Sequence, residues 1–183
     1  YLFDEAVELS HGRSIYTPID EPPYLVGNYP PLYQSLWAAM IKFSSPQLAY
    51  GRAICLSALA GIVCSLLMMG ARTGGQALAG LLCPLIFLAT YECNNWAAYA
   101  RVDLPALFLS LAGLTAFLIE KRPAARRLSI FFFVLAAMTK QTALSAPAAC
   151  IVYLLYRDWR AGLRYAVVFG GWIAGLTLAL SAL

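Results

Sequence analysis

Charge is the scarcest property of this sequence. Only 12% of its 183 residues are charged, whereas 61% are hydrophobic and the mean hydropathy is +0.69. In soluble domains about a quarter of the residues are charged, so the composition excludes an ordinary soluble protein. The net charge of +4 does not indicate nucleic-acid binding here, because the basic residues cluster in short loops between apolar runs. We expect an integral membrane protein.

Metal-ligating residues are equally scarce. His11 is the only histidine, and the five cysteines form no C-x-x-C pair; four of them lie inside apolar runs. A disulfide framework and a zinc site are therefore not expected, and no metal is assigned to His11.

Long apolar runs are what the sequence has in abundance. Several match the ~20 residues that cross a hydrocarbon core of ~30 Å, so the sequence predicts an all-α, polytopic membrane bundle. The fourth run is short for a crossing, and one alternative fuses it with the fifth into a single long helix. The six runs cover residues 53–71, 73–91, 104–119, 128–139, 141–156 and 165–183.

The distribution of charge decides between these two topologies. Six separate crossings place eight basic and two acidic residues on one side, and five basic and seven acidic residues on the other. The positive-inside rule then makes the first side cytoplasmic. Fusing the two runs would move three arginines of residues 157–164 outside, so six crossings are favoured. The opening stretch, residues 91–103 and the turn at Lys140 are then extracytoplasmic.

The opening stretch holds five of the nine acidic residues. We interpret residues 1–46 as an extracytoplasmic loop with two amphipathic surface helices, at 3–13 and 32–43, and residues 47–183 as the transmembrane bundle. One apolar face of the second helix is formed by Leu32, Leu36, Ala39, Met40 and Phe43. Because the chain starts without methionine and ends inside an apolar run, we expect a span before it and a continuation after it.

Three motifs in order carry a family resemblance. They are Asp4-Glu5-Ala6 at the start of the loop, the sequence Tyr-Pro-Pro-Leu-Tyr at 29–33, and Gly51-Arg52 leading into the next run. In this order, and on one side of the membrane, they resemble the GT-C superfamily of polyprenyl-phosphate-dependent glycosyltransferases. The similarity is strongest to its protein-mannosyltransferase-like and aminoarabinose-transferase-like bacterial members.

The resemblance implies roles for several residues. It makes Asp4 the catalytic base or acceptor-positioning carboxylate, with Glu5 as its neighbour, and it gives Asp103 and Tyr33 supporting roles. The alternative reading of Asp4 and Glu5 is favourable placement at a helix N-terminus, and Asp103 could equally be the N-cap of a helix starting at residue 104. Tyr29 stands where many bacterial members have a lysine, so no basic phosphate contact is expected there.

Three cations lie just outside the outer ends of apolar runs. In such a transferase Arg52, Arg101 and Lys140 would bind the donor phosphate, because preorganised cations stabilise a leaving phosphate. The alternative is contact with lipid headgroups or pairing with Asp103 or Glu92. Lys140 lies in a very short turn near the hydrocarbon boundary, where charged groups are costly and often functional.

The resulting hypothesis is an inverting membrane glycosyltransferase. It would move a sugar from a polyprenyl phosphate to an extracytoplasmic protein, lipid or polysaccharide acceptor, in the bacterial inner membrane with its active face outward. The lipid-linked sugar is the donor; no further cofactor is predicted, a divalent metal has no support in the sequence, and no nucleic-acid partner is expected. The alternatives are a transporter or lipid flippase, which would more usually show a repeat between halves, and a non-catalytic membrane subunit.

Overall fold

The computed structural model describes the whole chain except residues 19, 21, 23, 26, 74–76, 98, 120–122 and 182–183. Every regular element of the described residues is an α-helix, which confirms the all-α class. In chain order the helices are α1 (Leu2–Ser10), α2 (Leu32–Lys42), α3 (Leu48–Thr73), α4 (Ala77–Leu88), α5 (Tyr91–Ala97), α6 (Asp103–Ile119), α7 (Pro123–Thr139), α8 (Ser145–Arg157) and α9 (Trp159–Ser181).

Two of the helices are long and apolar enough to cross a membrane. They contain the spans Leu48–Arg72 and Trp159–Leu180, of 25 and 22 residues. Each of the other predicted runs also contains a helix, but these helices are shorter, from 12 residues in α4 to 17 in α6 and α7. At 1.5 Å per residue, α4 extends only about 18 Å. Helix length alone therefore identifies two candidate spans in the described part of the chain.

The short fourth run and the fifth run are separate helices. Helix α7 begins at Pro123, well before the predicted start, and ends at Thr139; a turn then leads into α8. A proline is well placed at a first helical position because its missing N–H has no partner there in any case. The alternative of one fused helix is therefore wrong.

The interior divides into two groups of buried side chains. The first core joins α1 and α2 to α3 and to the N-terminal end of α6, and the second core joins α7, α8 and α9. Close approach of the helices depends on glycines: a Cβ on Gly113 of α6 would lie 2.6 Å from the Phe133 ring of α7, and one on Gly61 of α3 would overlap the Phe108 ring of α6. The first core consists of Ala6, Tyr33, Trp37, Ile41, Cys55, Ala58, Ile62, Val102 and Leu104, and the second of Ile130, Phe133, Val134, Cys150, Leu154, Tyr165 and Phe169.

Helices are present at both positions predicted in the opening stretch, but α2 packs through another face than expected. Helix α2 buries Tyr33, Gln34, Trp37, Ala38 and Ile41. On the face predicted from periodicity, Leu36, Met40 and Phe43 are exposed instead. The helix is apolar on two sides, so periodicity could not decide which side packs against the protein. The boundary predicted at residue 46 lies between α2 and α3.

Candidate functional site

A cavity of about 820 Å³ opens between α1, α2 and the N-terminal end of α3. We call it the arginine cavity, because two of the three predicted cations, Arg52 and Arg101, line it. Glu5 from α1, Trp37 from α2 and Tyr29 from the loop between them contribute to the same wall. The cavity thus brings together residues that are far apart in the chain, such as Glu5 and Arg101.

Glu5 supplies a buried carboxylate to this cavity. Its residue is 1% exposed, and Gln34 Nε2 donates a hydrogen bond of 2.8 Å to Glu5 Oε2. Burial raises the pKa of the Glu5 carboxyl above its ordinary value, and the hydrogen bond from Gln34 opposes that rise. A carboxyl with a raised pKa in a cavity is a candidate for proton transfer.

Asp4 lies next to Glu5 in sequence but has a different environment. Its side chain is 60% exposed, and Asp4 does not contribute to the lining of the arginine cavity. Successive residues of a helix point about 100° apart, and here Glu5 lines the cavity whereas Asp4 points elsewhere. Of the predicted pair, the geometry places Glu5 there.

Arg101 is held by contacts on three sides. Its Nε lies 3.1 Å from Asp103 Oδ2, and its guanidinium lies 4.8 Å from the centroid of the Trp96 ring, a cation–π distance. Its backbone is tied to the thiol of Cys55: the Arg101 N–H donates to Cys55 Sγ at 3.4 Å, and Cys55 Sγ donates to the Arg101 carbonyl at 3.1 Å. The start of α6 is therefore attached to α3 directly behind the cavity wall.

The predicted supporting residue Tyr33 belongs to the same connection. It is fully buried in the first core, its hydroxyl donates to the Gly51 carbonyl at 3.2 Å, and it lies 3.8 Å from Cys55 Sγ. Burial raises the pKa of the Tyr33 phenol, so the hydroxyl stays protonated as a hydrogen-bond donor. Tyr33 thus fixes α2 against α3 without lining the arginine cavity itself.

Lys140 pairs with Asp103 and does not line the arginine cavity. Lys140 Nζ donates to Asp103 Oδ1 at 2.6 Å, and the Asp103 side chain is only 7% exposed. Among the alternatives for the three cations, pairing with Asp103 is what the structure has for Lys140 and, in part, for Arg101. The side chain of Glu92, the other suggested partner, lies outside the described residues.

A second cavity, of about 1150 Å³, lies on the other side of the segment 27–29. We call it the loop cavity; it extends between the loop around Ile15 and the C-terminal parts of α7 and α9. Asn28 and Tyr29 line both cavities. Two hydrogen bonds hold this segment in place. Tyr16 Oη donates to the Tyr29 carbonyl at 2.9 Å, and Gln141 Nε2 donates to the Asn28 carbonyl at 3.1 Å.

Two contributors to the site were missed from sequence. Gln34 and Cys55 carried no motif, yet one is the hydrogen-bond donor to Glu5 and the other anchors Arg101. A signal for Gln34 existed, because it shares a helical face with Tyr33, Trp37 and Ile41, and a polar residue among large apolar ones needs a partner. Cys55 resembles any small apolar residue of a span.

His11 is exposed, and its Nδ1 lies 2.9 Å from the Val7 carbonyl. In the described part of the chain no three His, Cys, Asp or Glu side chains form a group that could hold a metal ion.

Comparison of the chain with protein-family models, curated proteins and solved structures gives no match.

Proposed function

We propose that this chain belongs to a polytopic membrane glycosyltransferase that moves a sugar from a polyprenyl phosphate to an extracytoplasmic acceptor. The observation that carries the proposal is the arginine cavity, in which one buried carboxylate and two arginines face a common space. A transfer from a lipid phosphate needs both, a proton acceptor for the incoming hydroxyl and cations for the leaving phosphate.

The reaction would be a single displacement at the anomeric carbon. The acceptor oxygen forms a bond to that carbon while the bond from the carbon to the phosphate oxygen breaks, and the polyprenyl phosphate leaves with the electron pair. The hydroxyl proton passes to the Glu5 carboxylate. Arg52 and Arg101 would stabilise the negative charge that develops on the departing phosphate, since charge-assisted hydrogen bonds to phosphate are strong.

Our choice of base differs from the one that the family resemblance implies. The resemblance favours Asp4, whereas burial, the raised pKa and the cavity lining favour Glu5. A base must be within hydrogen-bond reach of the proton that it removes. We therefore assign the proton transfer to Glu5, and we assign Asp4 no direct contact with the reacting atoms.

The membrane setting rests on two lines of support. Two helices are long and apolar enough to cross a membrane, and the basic residues cluster between apolar runs in the pattern expected of a polytopic protein. With that topology the arginine cavity faces the extracytoplasmic side. The six crossings, the bacterial inner membrane and the outward active face are parts of the proposal.

The decisive experiment measures sugar transfer by the full-length protein in proteoliposomes. Undecaprenyl phosphates carrying a labelled hexose or pentose are supplied as a panel, and the label remaining on the lipid is followed in the presence of a cell-envelope extract. We expect Glu5→Gln to lower the rate by roughly 10²–10⁴-fold, the usual contribution of a general base. Asp4→Asn, the matched control, should retain activity to within a few-fold.

Three outcomes would contradict the proposal. Loss of activity in Asp4→Asn with normal activity in Glu5→Gln would return the role of base to Asp4. Label that crosses the bilayer while still attached to the lipid would identify a flippase or transporter. A protein that consumes no donor of the panel, and moves none, would favour a non-catalytic subunit.

A further inference from the structure

Three charged side chains meet where α6 begins and α7 ends. Asp103, the first residue of α6, lies between Lys140, which follows α7, and Arg101, two positions earlier in the chain. Lys140 Nζ is 2.6 Å from Asp103 Oδ1, and Arg101 Nε is 3.1 Å from Asp103 Oδ2. The two cations therefore share one carboxylate, and the group of three carries a net charge of +1.

The two contacts to Asp103 are of different quality. Lys140 makes a directed hydrogen bond to Oδ1. Arg101 is close enough to Oδ2 for an ion pair, but within the described residues this buried oxygen accepts no hydrogen bond of good geometry. The Arg101 guanidinium is instead placed over Trp96 and toward the arginine cavity, with its side chain about half exposed.

From this arrangement we infer that Lys140 is a positioning residue for Arg101. An arginine and a carboxylate prefer a bidentate pair, with two parallel N–H···O bonds. Because Lys140 occupies Oδ1, Asp103 cannot form the bidentate pair with Arg101. Lys140 also compensates part of the negative charge of Asp103. Arg101 therefore keeps donors and positive charge for an anion in the cavity. The inference rests on the proposed function, because the anion would be the phosphate of the lipid donor.

Removal of Lys140 should change both charge and geometry. Without it Asp103 can engage Arg101 through both oxygens, and the Asp103–Arg101 pair has no net charge. The cavity then loses one of its two available cations although neither Arg52 nor Arg101 has been altered. A second substitution, Asp103→Asn, removes the competing carboxylate and should return Arg101 to the cavity. If Lys140 merely stabilised the fold, Asp103→Asn would not reverse the effect of its removal.

The binding test uses farnesyl phosphate, a short isoprenyl phosphate, with farnesol as the probe that lacks the phosphate. The affinity of each ligand for the full-length protein in detergent is measured by microscale thermophoresis. We expect Lys140→Met to weaken farnesyl phosphate binding about tenfold, on the scale of one charge-assisted hydrogen bond. Lys140→Met/Asp103→Asn should recover most of that loss, and Lys42→Met, a control at an exposed lysine, should bind as the wild type does.

The inference would be overturned if the double variant bound farnesyl phosphate no better than Lys140→Met, or if Lys140→Met bound it with normal affinity. A second measurement does not depend on any phosphate ligand: the rate of phenylglyoxal modification at Arg101, compared by mass spectrometry with that at Arg52 in the same cavity. Bidentate pairing in Lys140→Met should slow the modification of Arg101 relative to Arg52, and Asp103→Asn should restore it. An unchanged ratio would contradict the role of Lys140.

The two measurements separate the inference from the proposed function. If the wild-type protein binds farnesyl phosphate no better than farnesol, the cavity is not a lipid-phosphate site and the proposed function fails. The labelling ratio still decides in that case whether Lys140 controls the pairing of Arg101.

Discussion

The first core has more buried polar contacts beside it than the second core. The first core adjoins the hydrogen bond between Gln34 and Glu5, the contacts of Cys55 with Arg101, and the ion pairs of Asp103. In the second core, the one buried hydrogen bond between side chains among the described residues joins Ser129 and Tyr165 at 2.7 Å. Both buried acidic residues of the described chain, Glu5 and Asp103, belong to the first region.

This difference separates a site from its scaffold. A buried charge costs free energy unless it is paired and hydrogen-bonded, so a region that serves only for packing has little reason to contain one. The second core meets its polar requirements almost entirely through helical backbone bonds. Of the two buried acidic residues beside the first core, by contrast, Glu5 lines the cavity that we propose as the active site, and Asp103 pairs with Arg101, which also lines it. The comparison predicts that substitutions in the two cores of equal structural severity have unequal functional effects.

The largest expected effect comes from emptying each core of its central aromatic ring. Trp37 and Phe133 are both fully buried, so Trp37→Ala and Phe133→Ala should each lower the free energy of unfolding by roughly 3–5 kcal/mol. Only Trp37 lines the arginine cavity. Measured on the folded fraction, farnesyl phosphate affinity should fall in Trp37→Ala and stay unchanged in Phe133→Ala. Equal losses of affinity would show that the two cores are not functionally distinct.

A smaller effect is expected from filling the space beside a glycine. A Cβ on Gly51 would lie 2.6 Å from the Trp37 ring and 2.8 Å from the Ala100 Cβ. Gly51→Ala should therefore destabilise the protein by roughly 1–3 kcal/mol, the cost of overpacking. Gly170→Ala is the matched control, because the new methyl group would have no described neighbour within 4 Å. Thermal unfolding should separate the two variants; equal melting temperatures would contradict the tight packing of α2 on α3.

The sequence allowed most of the helices to be predicted because their causes are local. Apolar runs bounded by charges, and prolines before α2, indicated helices whose observed bounds differ by a few residues. The packed face of α2 could not be predicted, since it depends on which neighbour covers it. The burial of Glu5 had the same origin: an acidic residue in a first helical turn looks solvated until its partner Gln34, 29 positions later, is brought beside it.

The site was predictable in composition but not in arrangement. Arg52 and Arg101 were identified from their positions outside the apolar runs, and the structure brings both to one cavity. Lys140 satisfied the same criterion, yet it binds Asp103 instead. That outcome is decided by how the N-terminal end of α6 meets the C-terminal end of α7, which depends on helix packing through residues such as Gly113 and Phe133. Charge position alone contains no such information.

The pH dependence of stability offers a finer test of the first core. Burial raises the pKa of Glu5 above 4.5, so its contribution to stability is complete below pH 4.5 and is lost as the pH rises through the raised pKa. Glu5→Gln should remove this loss, whereas Ser129→Ala in the second core should retain it. Melting temperatures between pH 4 and 8 test this expectation. Turnover should show the opposite trend, since a general base acts only when ionised. Identical pH profiles of stability in wild type and Glu5→Gln would contradict the burial of this carboxyl.

The smallest effect should come from a polar contact of the same region that is not buried. Arg13 pairs with Glu8 through two hydrogen bonds at the surface, and this lowers the pKa of Glu8. Water and salt screen such a pair, so Arg13→Gln should leave the melting temperature and the affinity for farnesyl phosphate unchanged. Gln34→Leu is the informative contrast: it removes the described donor to the buried Glu5 carboxylate and should cost roughly 1–3 kcal/mol of stability. If Arg13→Gln proved as harmful as Gln34→Leu, the number of polar contacts, and not their burial, would distinguish the two cores.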